Sequence, residues 1–248
     1  KKIMKSHKRT IILSVLAVIQ VITSFYTNYL VVSSIGFGSE MDVYYIAMSV
    51  YSFLLVSVGW SISSVLTPIL VENREDNLEG RMFVNVAIIV LPVLTVALGS
   101  MEFWTKFIFV NYLDIVSHDD ILLIQCFFII TFALGSLNIA FLAILQEQDR
   151  YVTINVLTML GSFVGVIFIY RTINSYGIYA ASIYQLVIQA FLFFLLGGLT
   201  YERLKKNFKF DKKTFILLWS RMKYIFLGSF YYRTEYLVER FILSFLSS

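Results

Sequence analysis

Runs of about twenty mostly apolar residues recur along this chain, and they constrain its fold more than any other feature. An α-helix rises 1.5 Å per residue, so a run of that length crosses the ~30 Å hydrocarbon core of a membrane. Charged residues make up only 15% of the chain, against ~25% in soluble domains. No segment shows the two-residue alternation of a membrane β-barrel. The sequence therefore predicts an all-α fold, a polytopic bundle of helices embedded in a membrane.

Seven membrane spans can be placed, at roughly residues 10–32, 43–71, 82–101, 121–145, 152–170, 178–200 and 216–246. Between the third and fourth spans, the stretch EFWTKFIFVNYL predicts a short interfacial helix. Its Trp104 and Tyr112 suit the level of the lipid headgroups.

These spans divide the chain into a first six-helix lobe (1–201), a basic linker (202–215) and a seventh helix (216–248) that would open a second lobe. Leu204, Phe208 and Phe215 lie among lysines at roughly helical spacing. The linker is therefore either an amphipathic helix on the inner membrane surface or an ordinary positively charged loop.

Lysine and arginine are distributed unequally between the two faces that alternating spans create. One face has only Lys106 and Arg171. The other has Lys1, Lys2, Lys5, Lys8, Arg9, Arg74, Arg81, Arg150, Arg203, Lys205, Lys206, Lys209, Lys212 and Lys213. Because cytoplasmic loops carry the excess of these residues, we expect a cytoplasmic amino terminus.

Several classes of site are absent from the sequence. The single cysteine, Cys126, excludes a disulfide within the chain, and the two histidines have no ligand spacing around them. The stretch SHDD (117–120) is better explained as an acidic start to the fourth span than as a metal site. No Walker motif, dinucleotide fingerprint or catalytic cluster is present. We therefore expect no cofactor, no metal, no enzymatic activity and no nucleic-acid partner, since the net charge of +4 resides mostly in loops.

Polar residues on the first span are candidates for substrate binding. Gln20, Ser24, Thr27 and Asn28 follow one another at offsets that place them along one side of a helix. Such a stripe either lines a hydrated cavity or makes hydrogen bonds between helices.

The seventh span carries charges on two sides. Arg233 and Arg240 share one side with Tyr236, whereas Glu235 and Glu239 share another. Arg233 would lie about 15 Å into the membrane, where an unpaired arginine costs several kcal/mol. It therefore either pairs with another helix or faces a hydrated cavity that receives an anionic headgroup. Arg240 is a further substrate-binding candidate, or is simply solvated near the outer surface.

The turn before the second span is a structural or gating candidate. Gly36 and Gly38 allow a tight turn, and Asp42 lies where the second helix is expected to begin, so it could cap free amide groups. The stretch IGFGSEMDVYYIAMSVYSFL, followed by SVLTPILVE with Pro68, resembles the second-helix signature of the bacterial lipid II flippase family. That family belongs to the multidrug/oligosaccharidyl-lipid/polysaccharide (MOP) exporter superfamily.

The resemblance implies a flippase of polyprenyl-diphosphate-linked saccharides in the bacterial inner membrane, working by alternating access between two six-helix lobes. It implies as partners the lipid-linked saccharide, membrane lipids and a second lobe, which this chain would lack and which the rest of a longer chain or another polypeptide would supply. The resemblance does not decide whether a coupling cation takes part.

The chain departs from the lipid II group at Val21, Thr27 and Leu55, where that group has arginines. We therefore favour an exporter of another lipid-linked saccharide, such as an O-antigen, capsule or exopolysaccharide unit. Alternatives are a lipid II flippase, a cation-coupled drug exporter, a membrane transferase and a noncatalytic membrane scaffold.

Overall fold

The computed structural model describes the backbone of residues 2–74 and 77–246, and the side chains of residues 9–74, 77–231 and 234. Every regular element in these residues is helical, which confirms the predicted all-α fold. The α-helices are α1 (Lys2–Ile35), α2 (Ser39–Leu54), α3 (Trp60–Glu72), α4 (Glu79–Ile108), α5 (His118–Glu147), α6 (Tyr151–Leu204) and α7 (Lys212–Leu246). A π-helical turn, Leu55–Gly59, joins α2 to α3 without a break, so together they form the predicted second span.

Five helical segments of the described chain are long and apolar enough to cross a membrane. They are Arg9–Ile35, Ser39–Glu72, Glu79–Ile108, His118–Glu147 and Tyr151–Asn207. The chain therefore has the character of a multi-pass membrane protein.

Helix α5 forms the centre of the bundle. It packs against α2, α3, α4 and α6, and most of its side chains are buried. Two glycines bring α5 close to the π-helical turn. A Cβ at Gly59 would lie 2.7 Å from Ile139 Cδ1, and one at Gly135 would lie 3.2 Å from Leu55 Cδ1. The position of Leu55 in this contact explains its apolar character, since it packs inside the bundle.

Helix α6 folds back on itself at Gly177, whose φ of +48° lies in the left-handed region that favours glycine. A Cβ at Gly161 would meet Leu192, and one at Gly165 would meet Ile188. From the pair Gly161 and Leu192 to the pair Gly165 and Ile188, both positions come four residues nearer to the turn, so the two halves of α6 run antiparallel. The predicted fifth and sixth spans are therefore the two arms of this hairpin.

One prediction about the connecting segments is wrong. The stretch EFWTKFIFVNYL is not a separate helix, because α4 continues to Ile108 and is followed only by a 3₁₀ turn, Val110–Tyr112. For the linker, the structure has no single amphipathic helix, which is one of the two alternatives that the sequence leaves open. The linker consists of the end of α6, a 3₁₀ turn (Lys205–Asn207), a non-helical stretch and the start of α7 at Lys212.

Candidate functional site

Some polar residues of α1 lie within its contact with α6, and others lie outside it. Gln20 donates from Nε2 to Thr158 Oγ1 at 2.6 Å and to the carbonyl oxygen of Asn155 at 3.1 Å. Thr27 is buried and donates to the carbonyl oxygen of Thr23 in its own helix. Gln20 therefore makes the interhelical bonds that the second alternative describes, whereas Thr27 bonds only within α1.

Ser24 and Asn28 lie outside the packed face of α1. Both side chains are exposed, and neither makes a side-chain hydrogen bond with the described residues. Successive positions at offsets of four drift by about 40° around a helix of 3.6 residues per turn. Asn28 is therefore rotated away from the α6 contact that Gln20 makes, and α1 presents an amide and a hydroxyl to its surroundings.

The turn between α1 and α2 uses its two glycines differently. Gly36 has φ of +83°, which favours glycine, whereas Gly38 has an extended backbone with φ of −162° that any residue adopts. Gly38 is itself the N-cap of α2, and no side chain caps that helix. The expectation that Asp42 caps the helix is therefore wrong. Asp42 lies exposed in the first turn, where with Glu40 it complements the positive helix end.

Pro68 lies inside α3, one turn before its end at Glu72. Its ring removes the amide that would bond the carbonyl of Ser64, so it weakens the last turns of this helix without ending it. Its side chain is exposed on the bundle surface.

The predicted substrate residues of the seventh span lie on α7, but their side chains fall outside the described residues. They are Arg233, Tyr236 and Arg240. Earlier in α7, Arg221 pairs with Glu72 at 2.9 Å, and Phe230 packs edge to face on Phe53. Helix α7 is thus held against α2 and α3 at two levels.

The basic loops that alternating spans would place on one face of the membrane meet at one end of the bundle. The guanidinium of Arg74 bonds both the carboxylate and the carbonyl oxygen of Glu147. Arg203 pairs with Glu79 at 3.0 Å, and Arg81 lies 3.7 Å from Asp211. Two buried carboxylates and the partly buried Asp211 therefore join the end of α3 to α5, the end of α6 to α4, and α4 to the start of α7.

Sequence reasoning missed Glu79 and Glu147 as structural residues. Both are buried, with 4% and 5% of their surface exposed. Each lies at the terminus of a long apolar run, directly beside basic loops, and that position was the available signal.

A pocket of about 380 Å³ opens at this end of the bundle. Its lining consists of Arg74, Glu147, Gln148, Asp149, Arg150 and Arg203. The described residues hold no group of three or more His, Cys, Asp or Glu side chains that could bind a metal.

Comparison with known proteins identifies no relative. No protein-family model matches the chain, and neither a curated protein nor a solved structure shows significant similarity to it.

Proposed function

We propose that this helical lobe belongs to a transporter that flips a polyprenyl-diphosphate-linked oligosaccharide across the bacterial inner membrane by alternating access. The favoured substrates are units of surface polysaccharide. The amino terminus and the arginine-rich end of the bundle face the cytoplasm in this proposal, in keeping with the excess of basic residues there.

The observation that carries the proposal is the exposed polar edge of α1. Ser24 and Asn28 are exposed on a helix that is long and apolar enough to cross a membrane. A polar side chain that faces lipid without a partner is unfavourable, so such residues usually face protein or a water-filled cavity. We therefore propose that this edge faces a hydrated passage between this lobe and a second one.

The identity of the substrate rests on the resemblance of residues 35–72 to the second-helix signature of lipid II flippases. Arg233 on α7 is the proposed cation for the diphosphate, since Val21, Thr27 and Leu55 leave this chain without the arginines of that group. Thr27 is buried, and Leu55 packs against Gly59 and Gly135.

Buried acids do not favour a cation-coupled drug exporter. Glu79 and Glu147 are buried, but each is paired with an arginine and lies at the end of its helix. A coupling carboxylate must instead change its protonation or its ligand during transport.

The test uses the full-length protein in cells that make the lipid-linked saccharide. Outward display of the saccharide is measured with a membrane-impermeant label on intact spheroplasts. We expect the double variant Ser24→Leu/Asn28→Leu to abolish display at unchanged protein level, because it removes the polar edge without touching the α6 contact. Arg233→Ala should abolish display as well.

The matched control is Thr95→Leu, which replaces an exposed polar residue on α4. Display in this variant should equal that of the wild type. If the α1 double variant and Arg233→Ala both display the saccharide normally at matched protein levels, the proposed function is wrong.

A further inference from the structure

The pocket at the arginine-rich end has a fixed frame. Three elements form it: the end of α3, the turn between α5 and α6, and the end of α6. The turn is held by the amides of Asp149 and Arg150, which donate to the carbonyl oxygens of Gln146 at 2.9 Å and Leu145 at 3.0 Å. Asp149 has φ of +58°, and its carbonyl oxygen accepts from Arg9 of α1. Hydrogen bonds to the backbone therefore hold the turn that lines the pocket in place.

Two arginines of the pocket lining already pair with buried carboxylates, each through one carboxylate oxygen, while Oε2 of Glu79 and Oε2 of Glu147 are buried without a hydrogen-bond partner among the described residues. Arg74 pairs with Glu147, which also lines the pocket, and Arg203 pairs with Glu79, which lies outside the lining. Each guanidinium has five N–H donors, so both arginines keep donors that these pairs do not use.

The pocket lining has one further positive side chain and one further negative side chain. Arg150 and Asp149 are exposed at the pocket, and neither side chain makes an ion pair with the described residues. Arg150 offers a fork of donors to an oxyanion, and Asp149 offers a carboxylate to an ammonium group. A ligand that satisfies both has a phosphate and a positively charged N–H donor a few bonds apart.

The depth of the pocket indicates where such a ligand comes from. The pocket lies at the ends of segments that are long enough to cross a membrane, so it lies near the level of the lipid headgroups. Its volume of about 380 Å³ falls within the range of small-ligand pockets, roughly 300–1,000 Å³. Basic pockets between membrane helices bind the phosphate-bearing headgroups of lipids such as cardiolipin and phosphoinositides.

We propose that this pocket binds the phosphoethanolamine headgroup of an aminophospholipid, with its phosphate on Arg150, Arg203 and Arg74 and its ammonium on Asp149. A choline headgroup has no N–H to donate, and a glycerol headgroup has no positive charge for Asp149. The site is independent of the solute that the bundle moves, so it does not rest on the proposed transport function.

The test is native mass spectrometry of the purified protein in detergent. The protein is titrated with phosphatidylethanolamine, phosphatidylcholine and phosphatidylglycerol that have the same acyl chains. We expect phosphatidylethanolamine to bind about fivefold more tightly than either other lipid, the effect of one partly exposed ion pair. Equal binding of the three lipids would overturn the proposal.

Two variants separate the halves of the site. Asp149→Asn keeps a residue suited to positive φ, and it should remove the preference for phosphatidylethanolamine over phosphatidylglycerol. Arg150→Gln should weaken all three lipids, whereas the control Lys206→Gln, an exposed cation outside the pocket lining, should change none. A preference that survives Asp149→Asn would contradict the assignment of the ammonium.

A soluble competitor distinguishes the membrane source from a free metabolite. Glycerophosphoethanolamine carries the same headgroup without acyl chains. We expect it not to displace phosphatidylethanolamine at equal concentration, because the acyl chains add apolar contact beside the pocket. Displacement at equal concentration would overturn the lipid as the ligand.

Discussion

Arg203 Nη1 lies 3.0 Å from Glu79 Oε1, and this contact joins the end of α6 to the start of α4. The carboxylate is buried, whereas the guanidinium is partly exposed. Directly beside it, Gly80 lies so close to α6 that an added Cβ would be 2.3 Å from the carbonyl oxygen of Leu204. The two helix ends are therefore held by both a buried charge and a close backbone contact.

Removal of the arginine from this pair should destabilise the protein more than removal of a neighbouring cation. Arg203→Ala leaves the carboxylate of Glu79 buried without its partner, and a buried unpaired polar group costs about 1–3 kcal/mol, with more for a charge. We expect a loss of about 2–3 kcal/mol in the free energy of unfolding, measured in mixed micelles with increasing SDS.

Two further variants test the cause of that loss. Lys206→Ala removes an exposed cation that has no ion pair among the described residues, and it should leave stability unchanged. Arg203→Ala combined with Glu79→Gln should recover part of the loss, because the buried charge is gone. An equal loss for Arg203→Ala and Lys206→Ala would contradict a structural role for the pair.

Gly80→Ala should separate α4 from the end of α6. The new methyl group would meet backbone atoms of Leu204 and Asn207 within 2.8 Å, and backbone cannot move aside as a flexible side chain does. We expect a loss of about 1–3 kcal/mol, the usual cost of overpacking. Gly99→Ala, in the same helix with open space around it, should be neutral or stabilising by up to about 1 kcal/mol. Equal effects of the two changes would show that close approach is not the reason for Gly80.

The two glycines of the α1–α2 turn should respond differently to alanine. Gly36→Ala forces a side chain into φ of +83°, which costs roughly 1–2 kcal/mol. Gly38→Ala meets no atom within 4 Å and keeps an extended backbone that alanine adopts freely. Thermal unfolding of both variants in detergent measures the difference. A larger loss at Gly38 than at Gly36 would contradict the assignment of the turn.

The spans were predictable because the length and apolarity of a segment decide whether it crosses a membrane, and both are local properties. The hairpin at Gly177 was visible for the same reason, as a short gap between two apolar runs. The end of α4 was not. Helix α4 runs through Pro92 and Gly99 to Ile108, and the aromatic residues after Glu102 did not signal a new element.

The candidate site was only partly predictable, because its partners come from distant parts of the chain. Glu79 and Arg203 are 124 residues apart, and no local pattern announces that they meet. The stripe on α1 was predicted as one side of a helix, but sequence periodicity cannot say where the neighbouring helix ends. That boundary divides Gln20, which bonds Thr158, from Asn28, which stays exposed.

Asp211 is the acidic N-cap of α7, and its effect on stability should depend on pH. Its Oδ2 accepts from the hydroxyl and the amide of Thr214, which lower its pKa together with nearby Arg81. A carboxyl whose pKa is lower in the folded state stabilises the protein above its unfolded value, about 3.9, and that stability is lost as pH falls through the folded pKa.

Asp211→Ala should therefore lower the free energy of unfolding by about 1 kcal/mol at pH 7 and by progressively less below pH ~4. Unfolding in SDS at several pH values measures this loss. Asp211→Asn keeps an accepting oxygen without the charge, so it should lose less than alanine at pH 7 and show no such pH dependence. A constant difference between wild type and Asp211→Ala from pH 7 to pH 3 would contradict the cap.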